Sequence, residues 1–357
     1  MLRRDGMMEI LKFKPVYKKK IWGGRRLAAE FNRKLPEGKV GESWELAAHK
    51  NGNSIVANGK YKGQKLKEVI NAEGEKLLGS ALSKDAVKKF PLLIKFLDIN
   101  DRLSVQVHPG NEYAAEHTSD ETGKNEIWYI IDAEEDAQLI YGIDSEVRRE
   151  DFAAAIKEGR LSQHLKKINV SAGDVIYIPP GTVHSTLGGI LTVEIQQNSD
   201  TTYRVYDWNR VGNDGKPREL HIESALDVID FGREQYDKVT GLEIQNEGYK
   251  RKILAACPSF ITELLEIETT YQTQTVGERF YSLICLEGAA IINYENKKTE
   301  LRAGETVLVP AQLGSYQING QAKVILSYLK NPAQLKSELR KAGYKDQDLA
   351  KIAGVEI

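Results

Sequence analysis

The chain has 357 residues, 41% of them hydrophobic and 28% charged, with Lys and Arg (50) balancing Asp and Glu (51). That length suggests two domains, and a core this large needs no disulfide or metal to fold. The charge balance gives no reason to expect nucleic acid or an anionic membrane as partner, and no apolar run reaches the roughly 18 residues of a membrane span.

The N-terminal "MLRRDGMMEILKFKP" lacks the apolar stretch of a signal peptide, which points to the cytoplasm; Met1, Met7 or Met8 is the start. Residues 9–60 alternate short strand-like runs with turns. Over 64–90, Leu66, Val69, Ile70 and then Leu77, Leu78, Leu82 recur at helical spacing, so helix is expected there, ending at Pro91. "LLIKFLDI" reads as a buried strand, in which Lys95 is a charge that is costly unless paired or functional.

From Arg102 the chain reads as mainly β, with short strands at "EIWYIID", "AQLIYGI", "DVIYIPP", "HSTL" and "ILTVEIQQ". One helical insertion is expected at 145–168. A charged stretch, "FGREQYDKVTGLEIQNEGYKR", reads as a linker before a second β block beginning near Ile253, and "NPAQLKSELRKAGYKDQDLAKIAG" reads as a helical tail. The expected organisation is therefore a first domain over 1–235, a second over 250–330 and a tail over 331–357. Cys257 and Cys285 lie in apolar contexts and read as buried free thiols of a reducing compartment.

The two β blocks share a pattern. "GDVIYIPPGTVH" (Gly173–His184) lies beside "GETVLVPAQLGS" (Gly304–Ser315), with Ser315 where the first copy has His184. This points to one functional and one degenerate copy of a β unit, the second without metal; chance similarity of two antiparallel units is the alternative.

In "LSVQVHPG", Leu103, Val105 and Val107 fall on one strand face and Ser104, Gln106 and His108 on the other. Gly173, Pro179, Gly181 and His184 resemble the second cupin motif, G-x5-P-x-G-x2-H. Gln106, His108 and, downstream, Glu126 resemble the first, with Gln106 in place of its usual leading histidine. The resemblance implies a mainly β fold of two jelly-roll or β-barrel units with helical segments. It brings Gln106, His108, Glu126 and His184 to one metal ion, and this nitrogen and oxygen donor set suits a catalytic Zn²⁺. His49, His117, His164 and His221 have no such context.

"KIWGG", "GESWELAAH", "LSVQVHP", "KNEIWYI", "GDVIYIPPGTVHS" and "EIQQNSDTTYRVYDWNR" together resemble the type I phosphomannose isomerases, in their short bacterial form, from about Lys14 to Tyr206. The resemblance implies interconversion of D-mannose 6-phosphate and D-fructose 6-phosphate with one zinc per subunit, ligated by Gln106, His108, Glu126 and His184, with Arg204 as the active-site arginine. Such an enzyme is a monomer or homodimer. The family's longer members carry a helical insert that 145–168 would represent in reduced form.

The reaction moves a proton between C1 and C2 through an enediolate, and a fixed guanidinium such as Arg204 stabilises the oxyanion; otherwise Arg204 pairs with Asp200 or Asp207. Glu194 is a candidate base. A three-residue loop at 188–190 would make it a cross-strand partner of His184, whereas a two-residue loop would turn it away. Lys124 shares the strand face of Glu126 and is a further catalytic candidate; Ser104 and Lys95 are candidates for substrate contact. The set His108, Glu126, His184 also matches the two-His-one-carboxylate pattern of Fe(II) oxygenases, and a non-catalytic sugar-binding bicupin is a third reading.

Overall fold

A computed structural model describes residues 8–82, 89–212, 215–233 and 237–356. These divide into two units: Tyr17–Ser43 with Lys95–Lys238, and the remaining described chain. Among the described residues no helix is long and apolar enough to cross a membrane.

The first unit holds an antiparallel sheet and most of a second sheet. One has five strands in the order Leu165–Asn169, Gln138–Ile143, His184–Thr186, Val105–Val107, Tyr203–Tyr206. The other has six, in the order Val175–Ile178, Glu126–Ala133, Ile190–Gln197, Leu92–Ile99, Val16–Gly24, Val40–Leu46. Both faces of the five-stranded sheet are buried, because its strands alternate between two cores. Leu139 and Tyr141 pack with Trp128, Ile130 and Ile176 of the facing sheet. Val105, Val107 and Ile140 pack on the other side with Phe152, Ala225 and Leu226, which belong to the helices Arg149–Lys157 and Ile222–Val228. Ser104, Gln106 and His108 therefore point between the sheets, where Ser104 and His108 are buried.

The expected helical insertion is shorter than 145–168. It is an α-helix over Arg149–Lys157 and a 3-10 turn over Leu161–His164, and Leu165–Asn169 is already an edge strand. Edge strands bury only part of one face, so "LKKIN" carries too few apolar residues to reveal its period. Over 64–90 the helices are Leu66–Glu73 and Glu75–Leu78, broken at Gly74; residues 83–88 lie outside the described chain.

The second unit carries a ten-stranded sheet. Tyr249–Cys257, Phe260–Ile267, Ser315–Tyr328 and Tyr281–Tyr294 are consecutive neighbours in it. The charged linker ends sooner than expected, since Leu242–Asn246 is a strand paired with Tyr249–Cys257. Its Leu242 faces the core while Glu243 and Gln245 face out, an alternation of only five residues inside a polar stretch. The linear boundaries near 235 and 250 also miss a pairing: Leu11–Lys14 lies against Thr306–Val309 and places Leu11 beside Leu308. Ser315, the counterpart of His184, is exposed, and its neighbour Tyr316 fills the core instead. The tail helix Pro332–Lys341 starts on a cap that "NP" announces: Asn331 Oδ1 accepts from the Ala333 N–H, and Pro332 occupies the first turn.

One buried charge pair sits in this second unit. Glu263, 1% exposed, accepts from Arg251 Nε and Nη2 at 2.6 Å each and from the Tyr328 hydroxyl at 2.7 Å. Removing one partner leaves a carboxylate in an apolar core. Arg251→Leu is expected to cost about 3 kcal/mol, read as a lower denaturant midpoint for this unit; an unchanged midpoint would reject the pair as a stabilising contact.

Candidate functional site

Strand register assembles the site. Tyr141 lies opposite His184, His184 opposite Gln106, and Gln106 opposite Arg204. Cross-strand partners share a face, so these four side chains form one row on the interior of the five-stranded sheet. The facing sheet supplies a second set: Glu126 opposite Gln196, and Trp128 opposite Glu194. The strand His184–Thr186 is not the hairpin partner of Ile190–Gln197; the two lie in different sheets. Neither loop length anticipated at 188–190 decides where Glu194 points. Its pairing with Trp128 does, and it is buried between the sheets.

The glycine motif works as the spacing suggests. Gly181 (φ +84°) turns the chain, its N–H donates to the His108 carbonyl at 3.0 Å, and a Cβ there would lie 2.9 Å from the Val228 carbonyl oxygen. The turn thus ties the His184 strand to His108.

His108, Glu126 and His184 offer ligand atoms within 4.8 Å of one another, all buried. His108 Nε2 is 3.4 Å from Glu126 Oε1, and His184 Nε2 is 3.7 Å from Oε2. Each ring turns Nδ1 to a backbone carbonyl at 2.9 Å, that of Thr201 for His108 and that of Thr182 for His184. A neutral ring that donates there keeps its Nε2 lone pair for the centre of the cluster. Burial, with the Lys124 charge, holds His108 well below its ordinary range, and burial takes His184 down to about 4, so both are neutral near pH 7.

Glu126 Oε2 is buried with no hydrogen-bond donor, an expensive state for a carboxylate unless a cation completes it. That orphaned oxygen and the two imidazole Nε2 atoms turned toward the same carboxylate fit a metal ion. Gln106 Nε2 is 3.3 Å from His184 Nε2, and its Oε1 accepts from Ser104 Oγ at 3.2 Å. Exchanging the two ends of the amide would aim its oxygen at the cluster and still satisfy the hydroxyl.

Lys124 Nζ lies 2.5 Å from Glu126 Oε1 and 3.0 Å from His108 Nε2. Lys95 Nζ donates to Glu194 Oε2 at 2.7 Å and to Gln196 Oε1 at 2.6 Å, and Trp128 Nε1 donates to Glu194 Oε1 at 2.9 Å. The buried Lys95 is therefore paired, as its cost requires. Burial and the Glu126 charge raise the Glu194 carboxyl above its ordinary range. Against burial, the charges of Glu194, Glu42 and Asp200 hold Lys95 above its own.

Arg204 donates through Nε to Ser104 Oγ at 3.3 Å and through Nη1 to the Glu219 carbonyl at 2.7 Å. The alternative ion pair with Asp207 does not form; that carboxylate is taken by Arg210 and Arg218.

A pocket of about 570 Å³, its open mouth included, lies over these residues, within the usual span for small-molecule sites, about 300–1,000 Å³. Ser104, Gln106, Lys95, Lys124, Glu194 and Arg204 line it, and so do Lys20, Trp22, Glu42, Asp200 and Arg218. The second group was missed as site residues. Glu42 carried a signal, a carboxylate inside the strand-like run "GESWEL" that is buried along its whole length. Arg218, in a turn-rich stretch, carried none.

Residues 10–136 match the phosphomannose isomerase type I catalytic domain, and residues 250–329 match the mannose-6-phosphate isomerase cupin domain. The mannose-6-phosphate isomerase of Streptococcus mutans serotype c is 41% identical over 311 residues, which is 87% of this chain and 95% of that protein. The chain belongs to the mannose-6-phosphate isomerase family. ManA of Bacillus subtilis, named for the same activity, is 39% identical over 90% of this chain and 99% of its own length. The crystal structure of a mannose 6-phosphate isomerase from B. subtilis superposes with a TM-score of 0.83 at 34% identity, covering 90% of this chain and 99% of that one. The mainly β, two-cupin architecture implied by the motifs is that of this family.

Proposed function

We propose that the protein interconverts D-mannose 6-phosphate and D-fructose 6-phosphate through an enediolate, with one zinc ion. The observation that carries the reading is the buried His108–Glu126–His184 cluster beside a pocket lined by Gln106, Lys124, Glu194 and Arg204, in a chain 41% identical to a mannose-6-phosphate isomerase. Two imidazoles, a carboxylate and an amide oxygen are ordinary zinc donors. The unit of Tyr17–Ser43 and Lys95–Lys238 is assigned the chemistry, and the other unit a structural role.

When bound, the metal supplies a Lewis acid that polarises the sugar oxygens. Glu194 is assigned as the base. Its raised proton affinity suits it to take a proton from one carbon and return it to the other, and Lys95 and Trp128 fix the orientation of its carboxylate. Arg204, beside Gln106, faces the oxyanion that develops as that proton leaves, with Ser104 bracing both side chains. Lys124 donates to a sugar oxygen at the metal end. Lys95, with two protein acceptors, acts through Glu194 and borders the substrate. The free thiols of Cys257 and Cys285 suit a reducing cytoplasm.

Metal removal tests the reading. Protein treated with EDTA is expected to lose nearly all conversion of mannose 6-phosphate and regain it with one equivalent of Zn²⁺. Restoration by Fe²⁺ and not by Zn²⁺ would reject zinc, and a stoichiometrically zinc-loaded protein without isomerase activity would reject the function.

A further inference from the structure

A hexose 6-phosphate carries its phosphate at the opposite end of the carbon chain from the C1–C2 pair that reacts. The group that binds it must therefore lie away from His108, Glu126 and His184, on the same pocket. Five cationic side chains line that pocket. Lys124 contacts Glu126 and His108, Lys95 is held by Glu194, and Arg204 sits opposite Gln106 in the strand register. Lys20 is paired with Glu42 at 2.8 Å, and Glu42 lines the same pocket, so the two cancel.

Arg218 differs. Its Nε donates to Asp207 Oδ2 at 2.8 Å and its Nη2 to Oδ1 at 2.5 Å. Arg210 Nη2 donates to the same Oδ1 at 2.7 Å. One buried carboxylate thus serves two guanidiniums, and of the two, Arg210 also pairs with a second carboxylate, Asp101, at 3.4 Å. The clamp uses only the Nε–Nη2 edge of Arg218, so Nη1 is not part of it. Next along the chain, the Glu219 carbonyl accepts from Arg204 Nη1, which places Arg218 next to the end of the interior row that lies two strands from His184. A guanidinium fixed from behind loses little entropy on binding a phosphate dianion.

We propose that Arg218 is the anchor for the substrate phosphate and that Asp207 is the positioning residue that holds it. The inference rests on the function proposed above and adds to it the residue that selects a phosphorylated over a neutral sugar.

The test is steady-state kinetics on mannose 6-phosphate, competitive inhibition by inorganic phosphate, and metal content, all on the same zinc-loaded preparations. Arg218→Gln is expected to raise KM by about 30- to 100-fold, the loss of a charge-assisted contact, and to weaken phosphate inhibition in parallel. Its kcat stays within about threefold, because the reacting end is intact. Asp207→Asn is expected to raise KM and the phosphate inhibition constant together by about tenfold with kcat kept, a split that a loss of stability would not produce. KM and phosphate inhibition within twofold of wild type in Arg218→Gln would overturn the anchor. So would a fall in kcat at constant KM, which places Arg218 at the reacting end. If Arg218→Gln does not fold, Arg218→Lys keeps the charge but not the fork; a wild-type KM there overturns the proposal, and a raised one supports it. A wild-type protein inactive on mannose 6-phosphate would sink the proposed function instead, and calorimetric binding of inorganic phosphate to wild type and Arg218→Gln would still decide the anchor.

Discussion

His184→Ala is expected to purify as a folded protein without bound metal and with isomerase activity reduced by at least about 10³-fold, since a bound Lewis acid contributes several kcal/mol to such a transition state. The register makes this residue central: it stands between Tyr141 and Gln106 in the interior row, and its Nε2 faces the orphaned Glu126 Oε2. The fold persists because the sheets are held by Ile130, Leu139 and Ile176 as well as Trp128, and the substitution costs Trp128 its edge contact with the His184 ring but leaves this packing in place. Leaving Glu126 without its cation costs some stability but not the architecture. Elemental analysis and circular dichroism on one preparation check both halves. A fully metallated and active His184→Ala protein would remove His184 from the ligand set.

Arg204→Ala is expected to lower kcat by about 10²–10³, the usual cost of one preorganised donor to a developing oxyanion, with little change in KM and none in metal content. The partners of Arg204 are the Ser104 hydroxyl and a backbone carbonyl, so the guanidinium is oriented while its charge is not spent on an ion pair. Burial, with the neighbouring charge of Arg218, lowers its proton affinity, but an arginine remains charged at any working pH. Burial thus strengthens its field at the reacting end without costing its charge. A variant with normal kcat and a raised KM would move Arg204 to ground-state binding and leave Lys124 and Glu194 to carry the chemistry.

The sequence by itself determined the local chemistry. The alternation in "LSVQVHPG" put Gln106 and His108 on one face, and the Gly173–Pro179–Gly181–His184 spacing encoded a turn that needs a glycine at positive φ. These signals are legible because side-chain direction in a strand and backbone freedom at a glycine are set within a few residues. The cost of a buried lysine marked Lys95 in the same way. Contacts between residues far apart in the chain were decided only by the tertiary structure. Glu194 faces the pocket because its strand pairs with Glu126–Ala133, not with the nearby His184–Thr186. Leu11–Lys14 joins Thr306–Val309, and the strand Leu242–Asn246, a run of five residues inside a polar stretch, is fixed by its pairing with Tyr249–Cys257. Arg218 lies in a segment with no periodicity, lines the pocket and is held there by Asp207. Strand partnership depends on which edges and apolar faces remain once every other strand is placed, a property of the whole chain that no short window of residues contains.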